Sequence, residues 1–200
     1  MFLNNAQVDY LFPKLVYSAN NILRPEYLDE IGSFCKDVVE KNGAPVTPHF
    51  NVQSTHPTND RLCDEPELSE FSAILLMYVK DFLRRMNFEQ YAIDNIRFLN
   101  MWTNISGENG FVFPHNHPNS VISGVFYVKS PEGSRIGFYD DYTMMYTPSQ
   151  PNEMTETYRT YPCIENNLFL FRSNFIHGVV PQPAGERIVI SFNTYIKETV

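Results

Sequence analysis

Two hundred residues with 43% hydrophobic side chains, 16 Phe and 12 Tyr among them, are enough for one domain with a sizeable core. The formal net charge of −8 lacks the basic stripe that a nucleic-acid binder needs to neutralise phosphates, and it disfavours an anionic membrane surface as well. The longest strongly apolar run, Phe71 to Val79, is too short to span a bilayer.

Met1 to Asn5 shows neither a basic n-region nor an apolar h-region, so no signal peptide is expected. Residues 1–24 are mixed and polar, with Leu11-Phe12-Pro13 and Leu15-Val16-Tyr17 as a candidate first strand. Pro25 stands where a helix can start, because its missing N–H has no partner to lose in the first turn. From Tyr27 the apolar positions 27, 28, 31, 34, 35, 38 and 39 trace a helical stripe that Asn42-Gly43 ends. Residues 44–64 hold three prolines and many small polar residues; they read as a long loop, of the kind that serves as a lid or binding loop. A second helix is expected from about Pro66, with Leu68, Phe71, Ile74, Leu75, Tyr78, Val79, Phe82 and Leu83 on its buried face.

After Asn87 the character changes. Ile96–Ile105, Val121–Val128, Ile136–Tyr139, Leu168–Phe171 and Arg187–Ile196 are short runs rich in aromatic and β-branched residues, separated by Gly, Pro and Asn clusters. Residues 140–160 read as an insertion near the mouth of the β region. With no internal repeat and no linker, the expectation is a single domain: residues 1–94 as helical support and lid loop, residues 95–200 as a mostly β core with the helices laid on one side. Cys35, Cys63 and Cys163 are odd in number and widely spaced. They fit unpaired thiols in a reducing cytoplasm better than a disulfide framework, and none stands at a metal-ligand spacing.

The chemistry concentrates at His115-Asn116-His117, His177 and Arg187. Two histidines two apart on a strand point to one face, with Cα atoms roughly 6.5 Å apart, so both imidazoles can meet one metal ion while Asn116 points away. In a strand from Arg187 to Ile196, one face carries Arg187, Val189, Ser191, Asn193 and Tyr195; the other, oily face suits a core. Pro181-Gln182-Pro183-Ala184-Gly185 is turn material. If the flanking strands pair as a hairpin, His177 and Arg187 lie opposite each other, roughly 5 Å apart at Cα. A guanidinium binds both oxygens of a carboxylate. A metal beside such an anchor suits a 2-oxo diacid, whose keto-acid end chelates the metal and whose distal carboxylate meets the Arg.

His115-x-His117, His177, Arg187 ten residues on and Ser191 four beyond that resemble the 2-oxoglutarate/Fe(II)-dependent dioxygenases, prolyl 4-hydroxylase-like branch. More narrowly, Trp102-x-Asn104, Pro114 to Pro118, Ser123 to Val128, His177-Gly178-Val179 and Arg187 to Asn193 resemble a small family of 2-oxoglutarate oxygenases with a His-x-His motif. The likeness covers about residues 95–196 and implies a double-stranded β-helix (jelly-roll, cupin-like) core with the site at its mouth. It also implies Fe(II) as metal with 2-oxoglutarate and O2 as co-substrates. His115 and His177 match the two metal-binding histidines, Arg187 the basic residue for the distal carboxylate, and Ser191 the hydroxyl that assists it. Tyr127 matches a tyrosine that bonds the same carboxylate; Asn104 and Asn193 lie in the matching motifs as further candidates for cofactor contact. His117 stands where most of the superfamily has Asp or Glu, whereas two His and one carboxylate are the usual ferrous triad. Either His117 is a direct ligand, or Asp140, Asp141 or water completes the set.

Plainer readings stand beside these. His49 and His56 read as ordinary loop residues, Trp102 as core rather than substrate platform, and Arg187 could pair with Glu186. The same architecture could serve a cupin-like three-His metal enzyme without 2-oxoglutarate, or a non-catalytic jelly-roll binding or structural module. The expected substrate is a peptide or small molecule; jelly-roll edges and the N-terminal helices are compatible with a homodimer.

Overall fold

The computed structural model describes residues 14–43, 46, 50–140, 150, 152 and 155–198. The first helix, α1 (Pro25–Asn42), follows a short strand, β1 (Val16–Asn20), and has Pro25 in its first turn, Glu26 near its N-terminus and Lys41 in its last turn, each placed to favour the helix dipole or its start. It stops at Gly43, whose N–H bonds the Val39 carbonyl at 2.7 Å. A Cβ there would sit 2.3 Å from that oxygen, so closeness, not backbone freedom, requires the glycine. The second helix, α2 (Ser69–Arg85), is preceded by two 3-10 turns, Leu62–Asp64 and Pro66–Leu68. It buries Phe71, Leu75, Val79, Phe82 and Leu83 as its stripe predicts, and Leu68 is buried just before it, whereas Ile74 and Tyr78 are half-buried. A third helix, α3 (Gln90–Asn95), has six residues, too few for a periodic stripe, and was not legible in the sequence.

Nine further strands complete the described chain: β2 (Val52–Ser54), β3 (Ile96–Ser106), β4 (Val112–His115), β5 (Ile122–Lys129), β6 (Arg135–Tyr139), β7 (Tyr158–Pro162), β8 (Asn167–Arg172), β9 (Ile176–Val179) and β10 (Arg187–Ile196). They form two antiparallel sheets. The larger runs β1-β8-β5-β10-β3-β2 and the smaller β4-β9-β6-β7. This is the mostly β double-stranded β-helix with flanking helices that the sequence led us to expect.

Strand alternation distributes the large sheet's side chains between two cores. Phe126 and Val128, Leu168 and Leu170, and Ile188, Ile190 and Phe192 join Leu28, Ile31, Phe71, Leu75 and Val79 under the helices. The intervening residues, Tyr127, Phe169, Phe171 and Val189, face the small sheet with Ile136 and Phe138. Phe126 is fully buried with its ring 5.2 Å from Phe71, a burial that contributes about 2–3 kcal/mol. Gly124 lies beside Phe192 on the paired strand; a Cβ would come 2.2 Å from that ring.

Two expectations need correction. The segment read as a featureless loop, residues 44–64, contains β2 and a 3-10 turn. Thr55 then fixes it to β3: its N–H bonds the Thr103 carbonyl and its hydroxyl accepts from Thr103 N–H, both at 3.1 Å. The expected hairpin between the His177 and Arg187 strands does not form, because β9 belongs to the small sheet and β10 to the large one. His177 pairs with His115 and Phe138, and Arg187 with Ser106. Two prolines without N–H groups cannot carry a hairpin ladder between them. The buried Gln182 holds the connection to the β3–β4 turn, donating to the Ser106 and Gly107 carbonyls at 3.0 and 2.7 Å. The chain thus crosses from one sheet to the other. The insertion read at 140–160 overlaps β7 at its end; most of it, with Asp141, lies outside the described residues, as do Leu11-Phe12-Pro13 and His49.

Candidate metal centre

A cavity of about 470 Å³ opens between the sheets, and it is lined by His115, His117 and His177 from one side of the fold and by Tyr127, Arg187 and Ser191 from the large sheet. His115 ends β4 and faces His177 of β9 in register. A Cβ on Gly178 would lie 2.9 Å from the Val112 carbonyl oxygen and 3.1 Å from Pro114 N; that glycine lets β4 approach β9 closely. His117 is not on the strand, contrary to the alternation argument. β4 ends at His115, and the His117 N–H is held by the Ser173 carbonyl at 2.8 Å. The rings converge all the same, with centroids 4.9 Å (115–117), 4.5 Å (115–177) and 5.1 Å (117–177) apart. One nitrogen from each lies within 4.8 Å of the others, the one such metal-ligand group among the described residues.

The tautomers follow from the backbone. His115 Nδ1 is 2.8 Å from the Phe113 carbonyl and His177 Nδ1 3.0 Å from the Phe175 carbonyl. A carbonyl only accepts, so Nδ1 carries the proton and Nε2 keeps its lone pair for a cation. Burial, with His115 nearby, lowers His117 to about 4 and His177 to about 3, so both are neutral at physiological pH. Three imidazoles with open space beside them suit a borderline divalent ion such as Fe(II). Asp140 pairs with Lys14 at 2.6 Å and stands outside the histidine group.

β10 positions the opposing chemistry. Arg187, Val189 and Ser191 alternate inward along it; Tyr127 and Asn104 flank Val189 on the neighbouring strands, and Trp102 and Val125 flank Ser191. Arg187 is 2% exposed, and its Nε and Nη1 have no hydrogen-bond partner among the described residues. Glu186 faces elsewhere and pairs with Lys36 and Lys129, each at 3.1 Å. A buried guanidinium left so is costly unless an anion completes it. Burial, with Cys163 adding to it, drives the Tyr127 phenol well above its ordinary value although Arg187 pulls the other way; the hydroxyl stays protonated and able to donate. Asn104 lines the cavity, but Asn193 does not. Its amide donates to Asn100 Oδ1 at 2.9 Å and accepts from Ser123 Oγ at 2.6 Å; Ser123 in turn lines the cavity.

Sequence reasoning passed over three wall residues. His56 lines the cavity with its ring 4.6 Å from Trp102, and Trp102 sits 5.9 Å from His117. Phe50 and Phe111 are further lining residues. The signal for His56 was weak: it lies in polar, proline-rich sequence with no periodicity.

Fold and site define a double-stranded β-helix protein with a candidate mononuclear metal centre facing a buried arginine. Residues 100–193, which hold every candidate side chain from Asn104 to Asn193, match the family described as "Putative 2OG-Fe(II) oxygenase". This stretch is thus similar to the 2-oxoglutarate/Fe(II)-dependent oxygenases. No curated protein matches the chain in sequence. Among solved structures, a Pseudomonas putida prolyl-4-hydroxylase superposes with a TM-score of 0.65 at 10% identity, over 92% of this chain and 94% of that one. HygX from Streptomyces hygroscopicus, with nickel, 2-oxoglutarate and hygromycin B bound, gives 0.63 at 11% identity, over 92% and 84%. The viral collagen prolyl hydroxylase of Paramecium Bursaria Chlorella virus-1, in its 2-oxoglutarate complex, gives 0.59 at 12% identity, over 92% and 96%. At these identities the likeness is one of fold.

Proposed function

We propose that the protein is an Fe(II)- and 2-oxoglutarate-dependent dioxygenase that hydroxylates a small molecule or a peptide side chain, with His115, His117 and His177 holding the iron. The observation that carries this reading is the buried guanidinium of Arg187, whose Nε and Nη1 find no partner among the described residues, in the same cavity as the three imidazoles. A cupin-like metal enzyme without a diacid co-substrate has no use for that charge. Bound Fe(II) supplies the redox chemistry, in which O2 and 2-oxoglutarate give succinate and CO2 as a substrate C–H becomes C–OH.

The chain's own residues bind and orient. Arg187 takes the distal carboxylate, with the protonated Tyr127 hydroxyl and Ser191 as added donors. Asn104 lies in reach of the same ligand from β3, and Asn193 acts through Ser123 as a positioning residue. Phe171, Ile136 and Val189 exclude water. The helices of residues 1–94 serve as a scaffold behind the large sheet, which makes the whole chain one functional unit. No described helix is long and apolar enough to cross a membrane, and three free cysteines suit a cytoplasmic setting. β2 and β7 end their sheets among the described residues, which leaves room for a homodimer that light scattering tests.

The test is calorimetric. 2-Oxoglutarate titrated into Mn(II)-loaded protein should bind, and Fe(II), ascorbate and labelled 2-oxoglutarate should release succinate slowly without substrate. Absence of both sinks the reading. Retained metal binding and activity in Arg187→Ala would favour the cupin-like alternative.

A further inference from the structure

The cavity wall beside β4 is aromatic, and it continues to the surface. Phe50 and Phe111 line the cavity, joined by a Phe111 N–H to Phe50 carbonyl bond of 3.1 Å. Phe113 is 60% exposed and packs edge-on against both. The three ring centroids lie 5.4, 5.4 and 5.1 Å apart. His56 and Trp102 add a second aromatic pair to the same cavity. No acidic side chain and no lysine lies among the described lining residues; Arg187 is the one permanent charge.

Resting on the oxygenase reading above, we propose that these five rings form the substrate subsite and that it takes an uncharged group with an apolar or aromatic face and rejects cations. An exposed Phe continuous with half-buried Phe rings is apolar surface held open to solvent, the signature of a binding site rather than of a scattered surface residue. Aromatic rings give such a group edge and face contacts at 4.5–7 Å. A cation entering here finds no acid among the described lining residues to replace its lost hydration, and that sets the preference. The subsite is also tied to the candidate metal ligands. The Phe113 carbonyl holds His115 Nδ1, and Trp102 touches His117, so a molecule seated on these rings is presented next to the histidine cluster.

The chain contains a single tryptophan, Trp102, so its fluorescence reports on the subsite independently of turnover. Two probes with one body and different charge, 3-phenylpropan-1-ol and 3-phenylpropylamine, are titrated into anaerobic Co(II)-loaded protein saturated with 2-oxoglutarate. The alcohol should change the emission saturably and bind at least about tenfold tighter than the amine. Phe113→Ala, at an exposed position that the fold does not need, should weaken the alcohol about fivefold, and Phe111→Ala about as much. An amine that binds as tightly as the alcohol, or an alcohol indifferent to both substitutions, overturns the proposal. Calorimetry of 2-oxoglutarate on the same preparations separates the two levels. If 2-oxoglutarate fails to bind while the alcohol shows its ring dependence, the oxygenase reading falls and the aromatic subsite stands; if 2-oxoglutarate binds and the alcohol does not, the subsite is wrong.

Discussion

The two sheets do different work. The large sheet is covered by α1 and α2, and its outer face is continuous Phe, Leu, Ile and Val; it supplies most of the apolar burial and carries Arg187, Tyr127 and Ser191 on its inner face. The small sheet has short strands of four or five residues, and it carries His115 and His177. Stability and the candidate anion contacts therefore sit on one layer, and the candidate metal ligands on or beside the other. Damage to the first should unfold the protein, whereas damage to the second should leave a folded protein that has lost its metal.

The largest expected effect tests the supporting layer. Phe126→Ala removes a fully buried ring that packs on α2 and should cost about 3–5 kcal/mol, read as a collapse of the urea midpoint. On the other layer, His177→Ala should lower affinity for Mn(II) or Fe(II) by more than the roughly 10–100-fold cost of losing an outer partner, while unfolding shifts by under about 2 kcal/mol. Equal loss of fold in both variants would erase the division.

Arg187→Met sharpens it further. Metal affinity should persist and 2-oxoglutarate affinity should fall by about 2–3 kcal/mol, roughly 30–150-fold. The ligand-free protein should become about 1 kcal/mol more stable, because a buried charge without a partner is gone. Gly178→Ala pushes a methyl against the backbone of β4 and should cost about 1 kcal/mol with a several-fold loss of metal affinity. The smallest effect is that of Tyr127→Phe: about fivefold weaker 2-oxoglutarate binding, near 1 kcal/mol for one hydrogen bond, with the fold intact.

The same division explains what could be read from the sequence. The large sheet's inner strands β3, β5, β8 and β10 run six to eleven residues, rich in aromatic and β-branched side chains, and β10 is read to its ends, Arg187–Ile196. β2, β4, β7 and β9 have three to five residues, and the last three include Pro, Gly or His; so short a run has no measurable period. His115 and His177 were legible through motif spacing, not through their strands. The juxtaposition of His177 and Arg187 was argued from a hairpin that does not exist: Gln182 carries the chain between sheets, and the two residues reach one cavity from opposite layers. His56 and the Phe50–Phe111–Phe113 cluster come together only by tertiary packing, which no local pattern announces.

The most direct test is a crystal structure grown anaerobically with Mn(II) and the N-oxalyl analogue of 2-oxoglutarate. The account predicts one metal ion about 2.0–2.2 Å from a nitrogen of His115, His117 and His177, with the analogue's distal carboxylate in bidentate contact with Arg187. A metal held elsewhere, or an Arg187 that no carboxylate meets, would contradict it.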